Sequence, residues 1–271
     1  MHRAEGMANA DPNEQHADVK PSVRNTHCDQ AESKGESRED PYVHRVFRGA
    51  TNGVTDFALS VLSKTHSQYK SIVVQFVKNW IKPEPSGGVS VERIFRVEVP
   101  PDVRDKNQDY AKAVGNVRRC FHGTSCSWDC NFFADMKGQP CGYTDCNLCG
   151  ICTEGFKQEG NVGATARRTR FNLRFGEGLY FSNISGKAND YAQDSEKTRS
   201  DGRKVRCMFV VDVAAGKTFK TQESRLPLNM CPPVGYDSVV GEAGQGLNYD
   251  ETVVYKDEAA IPTHLIVYAC D

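Results

Sequence analysis

Six of the eleven cysteines lie within 27 residues, and no other feature restricts the possible folds of this chain as strongly. The odd total argues against a disulfide framework, and the polar, glycine-rich sequence around the cluster is a poor basis for a core of buried thiols. Buried free thiols are nevertheless the alternative to a metal site, since cysteine packs like a small hydrophobic residue. The six are Cys126, Cys130, Cys141, Cys146, Cys149 and Cys152.

Cys146-Asn-Leu-Cys149 has the C-x-x-C spacing that brings two thiolates to one tetrahedral Zn²⁺. Pro140 and Gly142 can supply the tight bends of such a knuckle. We predict a structural zinc in an insertion of about residues 126–152. The predicted ligands are Cys126, Cys141, Cys146 and Cys149. Because four thiolates close the coordination sphere, this metal leaves no open position for a substrate and serves to stabilise the fold.

The first 42 residues are polar and differ in composition from the rest. They carry five basic and nine acidic side chains, a net charge of −4, and few large apolar residues. Such a segment buries too little apolar surface to offset the entropy lost on ordering. We therefore predict a disordered polar tail over residues 1–42 and one folded domain over residues 43–271.

Composition also bears on partners and on the compartment. The chain has 34 Lys and Arg against 35 Asp and Glu, whereas a protein that binds nucleic acid or anionic membranes usually shows a clear basic excess. The N-terminus lacks the apolar core of a signal peptide, and no stretch approaches the roughly 18 apolar residues of a membrane span. We expect an intracellular protein, cytoplasmic or nuclear, that is not secreted and has no membrane partner.

The apolar pattern predicts an α+β fold. Between residues 69 and 81, large apolar side chains recur at helical spacing, and Pro83 and Pro85 end that helix. Runs rich in Val, Phe and Tyr, with Gly or Pro near most ends, predict strands. These runs are residues 93–99, 117–121, 178–182, 207–213, 251–255 and 265–269. Since only short helical segments, near 148–156 and 187–193, lie between them, we expect mixed, largely antiparallel sheets and no doubly wound parallel sheet.

Three segments combine chemically useful side chains with closely spaced glycines. The first is Cys120-Phe121-His122-Gly123-Thr124, at the end of a predicted strand. The second begins Phe175-Gly176-Glu177-Gly178-Leu179-Tyr180-Phe181-Ser182 and continues to Lys187-Ala188-Asn189-Asp190-Tyr191. The third runs from Gly235-Tyr236-Asp237-Ser238-Val239 to Asn248-Tyr249-Asp250-Glu251 and Val253-Val254-Tyr255. Taken singly, the histidine, the tyrosines and the glutamate could each be an ordinary structural residue.

Together, and in this order, the three segments resemble the catalytic domain of the poly(ADP-ribose) polymerase-like ADP-ribosyltransferases. That family is marked by a histidine in H-G-[ST], a tyrosine in G-[IL]-Y-F and a glutamate shortly before a V-Y strand. The resemblance covers about residues 55–271, is strongest from His122 onward, and is closest to tankyrases and to fungal members with a cysteine-rich zinc insertion. It implies the ADP-ribosyltransferase fold, with split, largely antiparallel sheets, short flanking helices and a small zinc knuckle, and it implies NAD⁺ as substrate.

The resemblance also implies a role for each matching residue. Glu251, His122 and Tyr180 are the implied catalytic residues, with Glu251 on the 2′-hydroxyl of the nicotinamide ribose and His122 on a ribose hydroxyl. Tyr180 and Tyr191 are expected to sandwich the nicotinamide ring, while the backbone of Gly123 holds its carboxamide. The other NAD⁺-binding residues that it implies are Thr124, Lys157, Ser185 and Lys187.

Some positions depart from the family pattern or match it loosely. The family commonly has a serine three residues before the second tyrosine, and Ala188 stands there. Either Ser185 supplies a hydroxyl from nearby, or the carboxamide loses one hydrogen bond at a cost of ~1 kcal/mol. Lys157 matches only loosely the basic residue that meets the adenosine or the phosphates. Lys187 either reaches the neighbourhood of Glu251 or is a solvated surface lysine.

The implied chemistry needs only one carboxylate. Glycosidases use two because their leaving group must be protonated, whereas nicotinamide leaves as a neutral molecule from a cationic pyridinium. A glutamate on the neighbouring hydroxyl stabilises the positive charge that develops on the ribose, and two aromatic rings hold the cationic ring by stacking.

We therefore expect a monomeric enzyme that cleaves the nicotinamide–ribose bond through an oxocarbenium-like transition state. It transfers ADP-ribose, as single units or short chains, to a protein, to itself or to a nucleic-acid end. NAD⁺ hydrolysis is the second enzymatic hypothesis, and a catalytically silent module that binds NAD⁺ or ADP-ribose is the third.

Overall fold

The computed structural model describes residues 43–51, 55–82, 88–135, 141, 143, 146–158, 173–227, 230–244 and 246–270. The chain divides into two units, Met1–Arg38 and Glu39–Asp271, and all the described residues belong to the second. The tail predicted for residues 1–42 lies outside the described residues.

Strands contribute more of the described residues than helices do. In chain order they are β1 (Val43–Thr51), β2 (Thr55–Leu62), β3 (Val89–Glu98), β4 (Val117–Gly123), β5 (Leu179–Phe181), β6 (Lys197–Thr198), β7 (Lys204–Ala214), β8 (Thr218–Thr221), β9 (Ser238–Gly241), β10 (Glu251–Val254) and β11 (Ala260–Cys270). The larger sheet has the order β1-β2-β3-β11-β7-β4, with β6 also paired to β7, and the smaller has the order β5-β10-β9-β8. Apart from the parallel pair β8 and β9, the described strands pair antiparallel. The predicted α+β class with largely antiparallel sheets is confirmed.

The helices are short and flank the larger sheet. They are α1 (Ser67–Lys78), α2 (Pro101–Val114), α3 (Phe132–Asp135), α4 (Asn147–Glu154) and α5 (Ser185–Asn189), with 3₁₀ turns at Gln193–Ser195 and Asp257–Ala259. Among the described residues, no helix combines the length and the apolar character that a membrane crossing requires.

The core lies on both faces of β7 and β11, the central strands of the larger sheet. Successive side chains of a strand point to opposite faces, so the continuous apolar run of β7 is buried on both sides. Met208 and Val210 pack with Phe76 of α1 on one face, whereas Phe209 and Val211 belong to the cluster on the other face. That second cluster also contains the cysteine-rich helix α4.

The two sheets are joined where β4 meets the residue that follows β5. The N–H of Phe121 donates to the carbonyl of Ser182 at 2.7 Å, and the N–H of Ser182 donates back at 3.1 Å. The hydroxyl of Ser182 then donates to the carbonyl of Asp250 at 2.8 Å, just before β10 begins. This junction brings three motif segments together. His122 and Glu251 each directly follow a residue of the junction, and Tyr180 stands two residues before Ser182.

A buried histidine in the larger sheet makes the stability of the fold depend on pH. His264 of β11 is 5% exposed. Burial, the guanidinium groups of Arg119 and Arg96 and the neighbouring His66 lower the pKa of His264 from its ordinary value of 6.5 to about 4. Between these two pH values the unfolded chain binds more protons than the folded one, so the folded state loses about 3 kcal/mol as the pH falls from 6.5 to 4.

We expect the variant His264→Asn to lose part of this pH dependence. Urea unfolding at pH 7, 5.5 and 4.5 measures the free energy of unfolding of the native chain and of the variant. The native chain is expected to show the steeper decline towards acid, because the variant has no imidazole to protonate on unfolding. Parallel curves for the two proteins would show that His264 does not titrate as described.

Candidate active site

A cavity of about 730 Å³ lies along the junction of the two sheets. Its volume is within the ~300–1,000 Å³ that is usual for small-molecule sites. All but one of the residues expected to act on NAD⁺ line this cavity. Those lining it are His122, Gly123, Thr124, Lys157, Tyr180, Lys187, Tyr191 and Glu251. Residues from four separate segments therefore share one concave surface.

His122 is held at the end of β4 by aromatic contacts and by one backbone bond. Its ring centre lies 5.1 Å from that of Phe156 and 5.4 Å from that of Phe181. Nδ1 lies 3.0 Å from the carbonyl oxygen of Tyr180. Because a carbonyl only accepts, this bond places the proton of the neutral ring on Nδ1 and makes Nε2 the acceptor atom. The ring can therefore accept a hydrogen bond from a hydroxyl group in the cavity.

Glu251, the first residue of β10, is the buried carboxylate of the cavity. It is 7% exposed, and its Oε1 forms an ion pair with the ammonium of Lys187 on α5. Its Oε2 is buried and has no hydrogen-bond partner within the described part of the chain. A buried oxygen in that state carries a desolvation cost of about 1–3 kcal/mol, which a ligand hydroxyl donating to it can relieve. Of the two alternatives for Lys187, the structure shows the contact with Glu251.

The two tyrosines expected to hold the nicotinamide ring differ in exposure. The hydroxyl of Tyr180 donates to the carbonyl of Gly176 at 2.8 Å and accepts from the N–H of Phe175 at 3.0 Å. Burial raises the pKa of Tyr180, and the charge of Glu251 adds to the rise, so the phenol is protonated at neutral pH. Tyr191 follows α5 and is 37% exposed. One ring is thus fixed in the wall of the cavity, while the other stands at its surface.

Gly123 allows the turn after α5 to approach β4 closely. A Cβ atom at this position would overlap the carbonyl oxygen of Ala188 and lie 2.9 Å from its carbonyl carbon and 3.0 Å from the backbone nitrogen of Ala192. These atoms are backbone and cannot rotate away. Any side chain at position 123 therefore has to push α5 away from β4.

We expect the variant Gly123→Ala to disturb the cavity. Overpacking of this kind costs about 1–3 kcal/mol, and the displaced α5 carries Lys187, so NAD⁺ binding should weaken by ~10-fold or more. Thermal unfolding and calorimetric titration with NAD⁺ measure the two effects. Gly244→Ala is the matched control, since the nearest atom to a Cβ there is 3.6 Å away. Equal behaviour of the two variants would contradict the close approach.

Thr124 and Lys157 both line the cavity. Thr124 is 2% exposed and directly follows β4. Lys157 is partly exposed, and its ammonium lies 3.8 Å from Oδ2 of Asp257. The ammonium of Lys157 therefore interacts with a carboxylate, and its partial exposure places it at the edge of the cavity.

The expectation that Ser185 faces the ligand is wrong. This side chain is fully buried, and its hydroxyl donates to the carbonyl of Phe76 at 2.6 Å, which ties α5 to α1. Ala188, which occupies the position of the family serine, lines the cavity instead. The geometry therefore does not support the alternative in which Ser185 supplies the missing hydroxyl.

The clustered cysteines form a group that could hold a metal ion. The sulfur atoms of Cys130, Cys141, Cys146 and Cys149 all lie within 4.8 Å of one another. The prediction of Cys126 as a ligand is corrected here, because Cys130 takes its place in the group. The Sγ of Cys126 points at the carbonyl oxygen of Cys130, 3.6 Å away. The group therefore contains three of the four predicted ligands, Cys141, Cys146 and Cys149, and their binding of a metal stays a prediction.

Residues 141–270 match a family described as the poly(ADP-ribose) polymerase catalytic domain. This part of the chain is a PARP-like ADP-ribosyltransferase catalytic domain. Members of that family are generally NAD⁺-dependent ADP-ribosyltransferases. The matched span contains Tyr180, Tyr191 and Glu251, and it contains three of the four grouped cysteines.

Part of the cavity wall precedes the matched span. His122 and Gly123 lie on β4, which pairs with β7 of the PARP-like domain from Val117↔Ala214 to Gly123↔Met208. Sequence reasoning did not single out several other cavity residues, among them Lys82, Leu173, Ser224 and Arg225, and it gave no role to Asn248 and Tyr249, which also line the cavity. Asn248 and Tyr249 belong to the same motif segment as Glu251. Lys82 follows a helical stripe and belongs to no motif.

Proposed function

We propose that this chain is an NAD⁺-dependent ADP-ribosyltransferase that cleaves the nicotinamide–ribose bond and transfers ADP-ribose to an acceptor. The observation that carries the proposal is the buried Oε2 of Glu251, which has no hydrogen-bond partner among the described residues and lines the same cavity as His122 and Tyr180. A carboxylate in this position suits a reaction in which positive charge develops on the ribose beside it.

The roles we propose follow from these positions. Oε2 of Glu251 accepts a hydrogen bond from the 2′-hydroxyl of the nicotinamide ribose, while Lys187 holds the other oxygen in place. Nε2 of His122 accepts from a second ribose hydroxyl. Tyr180 and Tyr191 hold the nicotinamide ring by stacking, which is favourable for a flat cation between aromatic faces. Nicotinamide leaves as a neutral molecule, so the cavity needs no second acid.

For the rest of the dinucleotide we propose only a few contacts. The backbone of Gly123 takes the carboxamide, and Thr124 lies beside it. Lys157 attracts the adenosine end or the phosphates, helped by its place at the cavity edge. The proposed product is a single ADP-ribose unit or a short chain on a protein, on the chain itself or on a nucleic-acid end.

We propose Zn²⁺ as the metal of the cysteine group. The sulfur of Cys149 lies 3.5 Å from that of Cys130 and 3.6 Å from that of Cys141. Four sulfurs around zinc at about 2.3 Å have edges of about 3.8 Å, which is close to these distances. The N–H of Cys141 points at the sulfur of Cys149, and the N–H of Ser127 at that of Cys146, as suits thiolate ligands. Zinc here would link the loop after β4 to α4 and take no part in the reaction.

We also propose that residues 43–271 act as one catalytic domain. In support, β1, β2 and β3 extend the same sheet that contains β11 and β7. β11 pairs with β3 on one side and with β7 on the other. The strands that precede the cysteine group are therefore paired with strands that follow it.

Incubation of the purified chain with NAD⁺ labelled in the adenosine moiety tests the proposed activity. Release of nicotinamide together with label on protein, on the chain or on nucleic-acid ends supports a transferase, and denaturing gels size the product. Release of nicotinamide with free ADP-ribose as the only labelled product favours the hydrolase. Binding of NAD⁺ without any release identifies a silent module and overturns the proposal.

A further inference from the structure

Lys82 connects two segments of the cavity wall that are far from it in the sequence. Its ammonium forms an ion pair with the carboxylate of Asp190 and lies 5.2 Å from the centre of the Tyr249 ring. The second contact is a cation–π interaction, in which the ring face attracts the positive charge. Lys82, Asp190 and Tyr249 all line the cavity. One charged side chain thus links the residue that caps α5 to the segment just before β10.

Both partners of Lys82 are close in the sequence to residues with proposed roles at the nicotinamide end of the cavity. Asp190 immediately precedes Tyr191, and Tyr249 stands two residues before Glu251. Asp190 also caps α5, and its N–H donates to the carbonyl of Lys187 at 3.1 Å. One turn of helix therefore carries the partner of Glu251 and the partner of Lys82.

The position of Lys82 is fixed by packing on both sides. A Cβ atom on Gly186 would meet the Cβ and Cγ of Lys82 at 3.2 and 3.3 Å, so the aliphatic stem lies flat against α5. Two residues earlier, Trp80 is 7% exposed, and its ring centre lies 5.4 Å from that of Phe76 and 5.9 Å from that of Tyr268. The ammonium of Lys82 is thus presented from an anchored segment.

We propose that Lys82 is a positioning residue that holds the turn bearing Tyr191 and the segment bearing Glu251 around the nicotinamide ribose. The proposal rests on the proposed function of this cavity. It concerns a residue outside the span 141–270 that matches the PARP family. Lys82 acts through Asp190 and Tyr249, and its positive charge is needed for both contacts.

Loss of this charge should affect one end of the ligand more than the other. Tyr191 is the more exposed of the two tyrosines, and the ion pair between Asp190 and Lys82 is one of the contacts that hold its turn in place. Free nicotinamide binds only at this end, whereas ADP-ribose has no nicotinamide ring to stack. We therefore expect weaker binding of nicotinamide and nearly unchanged binding of ADP-ribose.

The variants Lys82→Met and Lys82→Arg separate charge from packing, because methionine keeps the stem and arginine keeps the charge. Calorimetric titration gives Kd for nicotinamide and for ADP-ribose, and nicotinamide release gives KM and kcat for NAD⁺. For Lys82→Met we expect ~10-fold weaker nicotinamide binding, a comparable rise in KM for NAD⁺, and ADP-ribose binding within about twofold of the native chain. Lys82→Arg should recover nicotinamide binding to within about threefold, and Asp190→Asn should repeat the effect of Lys82→Met.

Lys78→Met is the matched control, since it removes an exposed lysine four residues earlier on α1 and should change none of these constants. An unchanged Kd for nicotinamide in Lys82→Met overturns the proposal. Equal losses for nicotinamide and ADP-ribose, together with a lower Tm, also overturn it, because they indicate a structural role alone. If the native chain releases no nicotinamide from NAD⁺, the proposed function fails, while the two binding constants still decide the role of Lys82.

Discussion

Replacement of Glu251 by glutamine is expected to lower kcat for nicotinamide release by ~10²–10³-fold. Glutamine has nearly the same shape, but it cannot offer the full negative charge that stabilises positive charge on the ribose in the transition state. It also removes the ion pair with Lys187. The measurement is the initial rate of nicotinamide release at saturating NAD⁺, with Kd for NAD⁺ determined separately so that a binding defect can be recognised.

The matched control is Glu242→Gln, which removes a glutamate that pairs with Lys220 at the surface. This variant should react at the native rate, since exposed ion pairs contribute about 0–1 kcal/mol and Glu242 does not line the cavity. A Glu251→Gln protein as fast as the control would falsify the assignment of Glu251 to the reaction. A loss confined to Kd for NAD⁺ would assign Glu251 to binding and would remove it from the chemical step.

Replacement of Cys146 by serine is expected to remove the metal and to lower Tm by ~10 °C or more. A structural zinc contributes about 10–16 kcal/mol of binding free energy in small zinc domains, and part of this becomes folding free energy when the ligands exist together only in the folded chain. Metal analysis of the purified protein should give about one equivalent of zinc for the native chain and under ~0.2 for the variant. Thermal unfolding with and without a chelator measures the loss of stability.

Cys126→Ser and Cys130→Ser distinguish the two possible ligand sets. The structure places the sulfur of Cys130 in the group and that of Cys126 outside it. Cys126→Ser should therefore keep its metal, whereas Cys130→Ser should lose it. The reverse result would restore the ligand set predicted from spacing. Less than half an equivalent of metal in the native chain would contradict the metal site as a whole.

The motif residues could be placed from the sequence because each motif ends at the junction of the two sheets. His122 comes at the end of β4, Tyr180 lies in β5, and Glu251 begins β10. In β4 and β10, adjacent buried apolar residues give a local pattern that can be detected, whereas in β5 only Phe181 is buried. The resemblance to a known family then linked the three residues to one site, and all three line the same cavity.

Other elements carry no such pattern. Helix α2 has 14 residues, and Asn107 is the only buried one of them. The helix therefore has no apolar stripe by which it could be recognised in the sequence. Strands β8 and β9 have four residues each, too few for a clear period. Ser185 and Cys126 were misplaced for a different reason. Which way a small polar or sulfur side chain turns depends on a distant partner, here the carbonyl of Phe76 for Ser185, and spacing along the chain does not record that partner.

The interleaving of strands in the larger sheet limits how this protein can be shortened for crystallisation or inhibitor screening. A fragment that began at residue 141 would lack β3 and β4, which lie on the outer sides of β11 and β7. Two long apolar strands would then present unpaired edges, a common cause of aggregation. The fragment would also lack His122 and Lys82. Expression boundaries upstream of β1 preserve both the paired sheet and the complete cavity.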